Sequence, residues 1–134
     1  MLLRRPTVWI VDDDELFVKL FVTQMTKAGS IATGFCRYTD AVLRFTSGRP
    51  DMLVLDREMC DVDGTDLGGE FREMGYDGTI VLLSATLDYS AKTAALANRI
   101  NLLMVKPPDY HVLQELAVES AIKHRKPLFG ILKI

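Results

Sequence analysis

Apolar residues along the chain fall into five short runs, separated by longer stretches in which they recur at helical spacing. Thr7 to Val11 is β-branched and apolar and ends in acid, which predicts a buried strand. Glu15 to Ala28 carries Leu16, Phe17, Leu20, Phe21 and Met25 as the inward stripe of a helix, with Gly29 placed as its C-cap. The alternation then repeats. Ile31 to Phe35 is a weaker strand, and Thr39 is the expected N-cap of a short helix with Ala41, Val42 and Phe45 inward, ending near Gly48. Met52 to Leu55 is a third strand, followed by an Asp- and Gly-rich loop and a helix marked by Leu67, Phe71 and Met74 that Gly68 and Gly69 weaken. Ile80 to Leu83 is a fourth strand, after which Asp88 caps a helix through Ala91, Ala94, Ala95 and Leu96. Leu102 to Val105 is the fifth, and Asp109 precedes a helix through Val112, Leu113, Leu116 and Ile122.

Five strands alternating with five helices predict parallel pairing, because parallel neighbours need a crossover and a helix supplies it. Near-continuous apolar strands fit a sheet covered on both faces, and the expected product is a doubly wound open α/β sheet. Ligands of such sheets sit beyond the carboxyl ends of the strands, where the strand order reverses. Those ends carry Asp12, Asp13 and Asp14 after the first strand, Asp56 after the third, Ser84 after the fourth and Lys106 after the fifth. The second strand, expected at an edge, ends in Cys36 and offers no ligand. Carboxylates converging on one cleft repel, each close pair by ~1 kcal/mol in water and ~4 kcal/mol at an intermediate dielectric. Lys106 supplies one counter-charge; a hard divalent ion on oxygen ligands supplies the rest. A transferring phosphoryl group needs the same neutralisation. Asp14 differs: at the mouth of a helix its expected role is to cap free N–H groups.

With 134 residues, 49% hydrophobic and 25% charged, the chain is sized for one core, assigned to residues 1–126, with 127–134 as a tail or the start of a linker. No repeat or low-complexity segment interrupts it. Sixteen basic and 18 acidic residues leave a formal charge of −2, too little positive field for direct nucleic-acid binding. The basic cluster Lys123 to Lys126 is read as complementing a helix dipole, and the apolar stretch Leu128 to Ile134 has no assigned role. Cys36 and Cys60 lack metal-type spacing and are read as free thiols, with a buried or inert Cys60 favoured over a redox role. Pro6 and the acid from Asp12 exclude a signal-peptide core, and no apolar run reaches the ~18 residues of a membrane span. The expected location is the cytoplasm, with no membrane partner.

Four segments in order, Val8 to Asp13 (VWIVDD), Leu53 to Gly64 (LVLDREMCDVDG), Val81 to Ala85 (VLLSA) and Val105 to Pro107 (VKP), resemble the receiver domain of two-component response regulators. The resemblance covers about Thr7 to Lys126. It implies a flavodoxin-like sheet of order 2-1-3-4-5 flanked by five helices. It implies that Asp56 accepts a phosphoryl group from a histidine kinase or phosphotransfer protein, in a signalling domain that catalyses at most its own phosphorylation and dephosphorylation. Mg2+ (or Mn2+) would be held by Asp13, Asp56 and the backbone carbonyl of Glu58, and by Asp12 through water. Ser84 and Lys106 would meet phosphoryl oxygens, and the bond before Pro107 would be cis. The implied switch surface is the fourth helix, fifth strand and fifth helix, serving a downstream effector, a covalently linked output domain or a homodimer.

Departures from the family pattern concern propagation of the signal more than its capture. Leu103 stands where an aromatic residue is usual, Arg99 and Ile100 replace a Gly-Ala pair, and Cys60 replaces a proline. Glu58 and Thr86 occupy positions expected to tune the lifetime of the phosphoryl group. Two other functions compete: a pseudo-receiver whose partner binding ignores phosphorylation, and a phosphatase of the haloacid dehalogenase type. The latter expects D-x-D-x-T, which Asp12 and Asp14 begin but Leu16 breaks.

Overall fold

The computed structural model describes residues 4–123. The expected bounds at Lys126, the rest of the basic cluster and the apolar tail lie outside the described residues. Strands β1 (Thr7–Val11), β2 (Ile31–Phe35), β3 (Met52–Asp56), β4 (Thr79–Ser84) and β5 (Leu102–Val105) alternate with helices α1 (Glu15–Ala28), α2 (Tyr38–Arg44), α3 (Gly64–Glu73), α4 (Tyr89–Ala97) and α5 (Tyr110–Lys123). All pairings are parallel, and the five strands lie in the order β2-β1-β3-β4-β5. The order expected from the resemblance is therefore the one observed.

Inside the continuous apolar strands the two-residue alternation sorts side chains between two cores. Trp9, Val11, Leu53, Leu55, Ile80 and Leu82 face Phe45, Leu67 and Phe71 on the side of α2, α3 and α4. Val8, Ile10, Met52, Val54, Val81 and Leu83 face Phe21, Met25, Leu113 and Ala117 on the side of α1 and α5. The same phase carried past the strand ends puts positions 12, 56 and 106 on the α1/α5 side and position 84 on the other.

α1 has the expected bounds, with Asp14 Oδ1 accepting from the N–H groups of Leu16 and Phe17 and Gly29 adopting φ 118° as its C-cap. Its inward stripe is rotated from the expected one. Val18, Phe21 and Met25 are buried, whereas Leu16 is 78% exposed and Leu20 lies on the outer side. α2 starts at Tyr38 after Arg37, which makes no side-chain cap, so the expected Thr39 cap is corrected; the helix ends at Arg44 rather than near Gly48. In α4, Ala91 and Ala95 point inward and Leu96 is exposed. In α5 the buried positions are Leu113, Ala117, Ser120 and Ala121, and Val112 and Ile122 face outward. The small residues let α5 lie close on the sheet, which the expectation of a large apolar stripe did not anticipate.

Gly68 and Gly69 lie within α3 under close neighbours: a Cβ at Gly68 would sit 3.1 Å from Ile100 Cδ1, and one at Gly69 would require the Asn98 side chain to turn away. Arg72 then joins the end of α3 to the sheet, donating from Nη1 to the carbonyls of Tyr76 (2.9 Å) and Gly78 (2.7 Å) and from Nη2 to Asn101 Oδ1 (2.6 Å).

At the opposite end of the sheet from the acidic loops, buried Asp51 accepts from Thr7 N–H (2.8 Å) and from both terminal nitrogens of Arg4 (2.7 and 2.9 Å). Burial alone would raise its pKa, but the Arg4 and Thr7 hydrogen bonds prevail and hold it below the usual carboxylate range. Asp51→Ala is expected to cost about 2 kcal/mol in a urea titration at pH 7, by stranding the Thr7 N–H. A carboxyl with a depressed folded pKa stabilises above its unfolded value and stops doing so as pH falls through the folded one. The difference between parent and variant should therefore shrink below about pH 4.

Candidate functional site

Every expected site residue lies at the carboxyl edge of the sheet. Asp12 is fully buried, and its main chain is held by Asp12 N–H to Phe35 O (3.0 Å). Its Oδ1 accepts from Asp14 N–H (2.9 Å) and its Oδ2 from the Lys106 amine (2.6 Å). Asp13 is exposed, and its Oδ2 accepts from the N–H of Cys60 (2.8 Å), which ties the β1–α1 loop to the loop after β3. Asp56 ends β3 with its side chain buried, and its Oδ1 lies 3.6 Å from the Lys106 amine. One oxygen from each of Asp12, Asp13 and Asp56 falls within 4.8 Å of the others.

The electrostatics follow from that crowding. Burial, then the charges of Asp12 and Glu58, push the Asp56 carboxyl up to about 7, against the opposing pull of Lys106. Asp13 moves the other way, because the Cys60 N–H stabilises its ionised form. For Lys106, burial disfavours the charge, but the Asp12 hydrogen bond and the charges of Asp12 and Asp56 prevail and its pKa rises. Its amine also lies 4.2 Å from the centre of the Phe17 ring, a cation–π contact that fixes its position. Asp56 Oδ1 is buried and accepts no hydrogen bond from the described residues.

Ser84 ends β4, buried, and its hydroxyl donates to Glu58 Oε1 (3.1 Å). The N–H of Ala85 donates to the same oxygen (3.3 Å). Thr86 Oγ1 is engaged with Asp88 (3.1 Å), the N-cap of α4. Glu58 pairs in an isolated antiparallel bridge with Asp63, and Gly64 N–H donates to Arg57 O (3.0 Å), so the loop after β3 is closed on itself. Phe17, Asp56, Glu58, Ala85, Lys106 and Pro107 line an open cleft of about 450 Å3. The bond between Lys106 and Pro107 is cis. Cys36 and Cys60 are free thiols, as expected, but Cys60 is exposed rather than buried. Its contact with Asp13 raises the thiol pKa, which disfavours the thiolate.

The sequence pattern of the response regulator receiver domain matches residues 8–117. The chain belongs to that family. The DNA-binding transcriptional regulator NtrC of Proteus hauseri is 27% identical over 122 residues, which are 91% of this chain and 26% of the relative. The probable transcriptional regulator ycf27 of Cyanidium caldarium is 29% identical over 104 residues, 78% of this chain and 41% of the relative. The receiver thus spans about a quarter of the length of NtrC and under half that of ycf27. Among solved structures, the receiver domain of the Francisella response regulator 1452 superposes with a TM-score of 0.81 at 21% identity, covering 90% of this chain and 100% of that one. The response regulator TrrA of Thermotoga maritima, solved in complex with Mg2+-BeF, gives a TM-score of 0.74 at 25% identity, covering 86% and 98%. Among the described residues no helix is long and apolar enough to cross a membrane.

Three features of this receiver were not read from sequence: the Glu58 side chain on Ser84, the Cys60 N–H on Asp13, and the Phe17 ring over Lys106. Phe17 had been placed in the inward stripe, but nothing local links it to a lysine near the other end of the chain. The Cys60 and Glu58 contacts depend on the loop path after β3, which hydrophobic periodicity does not encode.

Proposed function

We propose that this receiver takes a phosphoryl group onto Asp56 from the phosphohistidine of a kinase or phosphotransfer protein. The carrying observation is three carboxylate oxygens within 4.8 Å of one another, beside a lysine amine, with Asp56 Oδ1 left without a hydrogen bond. Such a donor set fits a hard divalent cation: it is all oxygen, doubly anionic after Lys106 is counted, and open to solvent at Asp13. Asp13, Asp56 and the Glu58 main-chain carbonyl would hold Mg2+ or Mn2+, and Asp12 would act through water. When bound, the ion neutralises phosphoryl oxygens and favours the ionised form of Asp56.

The remaining chemistry belongs to the chain. Asp56 attacks as a carboxylate; a P–O bond forms as the P–N bond to the donor imidazole breaks, and the imidazole leaves with the electron pair and takes a proton. Lys106, already aligned by Asp12 and Phe17, needs only to turn from Asp12 toward the new phosphoryl oxygens. Ser84 supplies a hydroxyl donor from the neighbouring strand end. The response is a shift between two conformations of the surface formed by α4, β5 and α5, favoured by these contacts. Leu103, partly buried against the α2/α3/α4 core, stands where the family usually has an aromatic ring, so the shift is either smaller or carried by the loop after Ser84. An effector, a linked output domain or a second copy reads that surface, in the cytoplasm.

Intact-mass measurement after incubation with Mg2+ and acetyl phosphate tests this reading. A single phosphate adduct is expected on the parent and none on Asp56→Asn. An adduct on both, or on neither, would overturn it.

A further inference from the structure

The Ser84 hydroxyl and the Ala85 N–H converge on one oxygen, Glu58 Oε1, at 3.1 and 3.3 Å. Two donors aimed at one point make an anion site, and here a carboxylate of the same chain sits in it. Resting on the reading of Asp56 as acceptor, we propose that Glu58 is an intramolecular competitor that holds the phosphoryl-oxygen donors of Ser84 and Ala85 until phosphorylation displaces it.

Several observations support competition rather than incidental contact. Glu58, Asp56 and Ala85 line the same cleft, and Ser84 follows Leu83, the β4 partner of Asp56, so a phosphoryl group on Asp56 would compete with the Glu58 carboxylate for these two donors. The main chain at Glu58 is fixed by its bridge to Asp63 and by the hydrogen bond from Arg57 N to Leu83 O (2.8 Å). Displacement is therefore a rotation of the side chain into solvent, which is open at this exposed position. Ser84 is fully buried with Glu58 in place, and a phosphoryl oxygen taking over from the carboxylate would give its hydroxyl an acceptor again. In the resting state the contact also joins the loop after β3 to the end of β4, so exchanging Glu58 for a phosphoryl oxygen changes what holds the β4–α4 loop.

The test is the affinity of the Mg2+-loaded protein for fluoroberyllate, a phosphoryl mimic, measured in a double-mutant cycle of Glu58→Ala and Ser84→Ala. Glu58→Ala alone is expected to tighten binding about tenfold, the size of one charge-assisted hydrogen bond released. In the Ser84→Ala background the gain should shrink, because half of the contested site is gone. A gain of equal size in both backgrounds would mean that only the Glu58 charge matters, and would overturn the proposal, as would no gain at all. In the protein without Mg2+ or fluoroberyllate, the Ala85 amide proton should also move upfield in Glu58→Ala; an unmoved resonance counts against the contact. Parent protein that binds no fluoroberyllate and forms no Asp56 adduct would sink the phosphoacceptor reading itself. A parent that does both, with no gain in Glu58→Ala, sinks only the competitor.

Discussion

Asp56→Asn should stabilise the metal-free protein at pH 8 by about 2 to 4 kcal/mol, and by almost nothing near pH 4. Burial and the neighbouring Asp12 raise the folded pKa of Asp56 to about 7, against an unfolded value near 3.9. Between those values the folded state binds the proton and the unfolded state does not. By linkage, stability then falls as pH rises through that window and levels off above it. The full difference sets a ceiling of about 4 kcal/mol, and coupling of Asp56 to the charges around it sets the lower figure. An asparagine cannot ionise, so it escapes the penalty. Urea titrations of parent and variant at pH 4.5, 6 and 8 should show the gap widening with pH. A gap that is constant, or that favours the parent at pH 8, would contradict the crowded-carboxylate account. Saturating Mg2+ should narrow the gap at pH 8 by stabilising the parent alone.

The second large effect is expected at Gly64, which opens α3 against the end of β3. A Cβ there would collide with the Asp56 carbonyl oxygen and lie 2.8 Å from its carbon and 2.9 Å from Arg57 Cα. All three obstacles are main chain, so no rotamer change relieves them. Gly64→Ala should cost about 3 kcal/mol, which urea titration at pH 6 would measure, and should weaken Mg2+ binding by moving Asp56 off the line of Asp12 and Asp13. Unchanged stability would mean that α3 slides without disturbing β3. The contrast with Asp56→Asn is informative: one change relaxes the site and the other deforms its support, so the two should move stability in opposite directions.

Much of this was legible because parallel strands buried on both faces leave a strong signal and because their polar ends stand out against it. Asp12, Asp56, Ser84 and Lys106 could be picked as the first polar residue past each apolar run, and Asp14 and Gly29 bounded α1 correctly. Helix faces were harder. Leu16, Leu20, Leu96 and Ile122 are large and apolar and are expected inward, yet they are exposed; Ala91 and Ala95 are buried as expected, and Ala117 and Ala121, which the pattern did not mark, are buried in α5. A helix that must lie close to a sheet wants small residues on its inner face, and hydrophobicity alone ranks those below leucine. Thr39 failed as a cap because α2 begins at Tyr38, two residues earlier than a Thr39 cap requires, with Tyr38 packed against the α2/α3/α4 core. The Glu58 contact was illegible for another reason: Glu58 sits on the loop after β3 and Ser84 at the end of β4, and their meeting is set by strand order, not by anything local to either.

Strand order has one more consequence. Asp12, Asp56 and Lys106 hang from β1, β3 and β5, while β4 stands between the last two in the sheet. No contiguous fragment that stops short of the final strand can assemble the trio, and fraying of β5 alone would carry the amine away. The proposed phosphoacceptor site is thus a property of the finished sheet, and a nascent or partly melted copy lacks it.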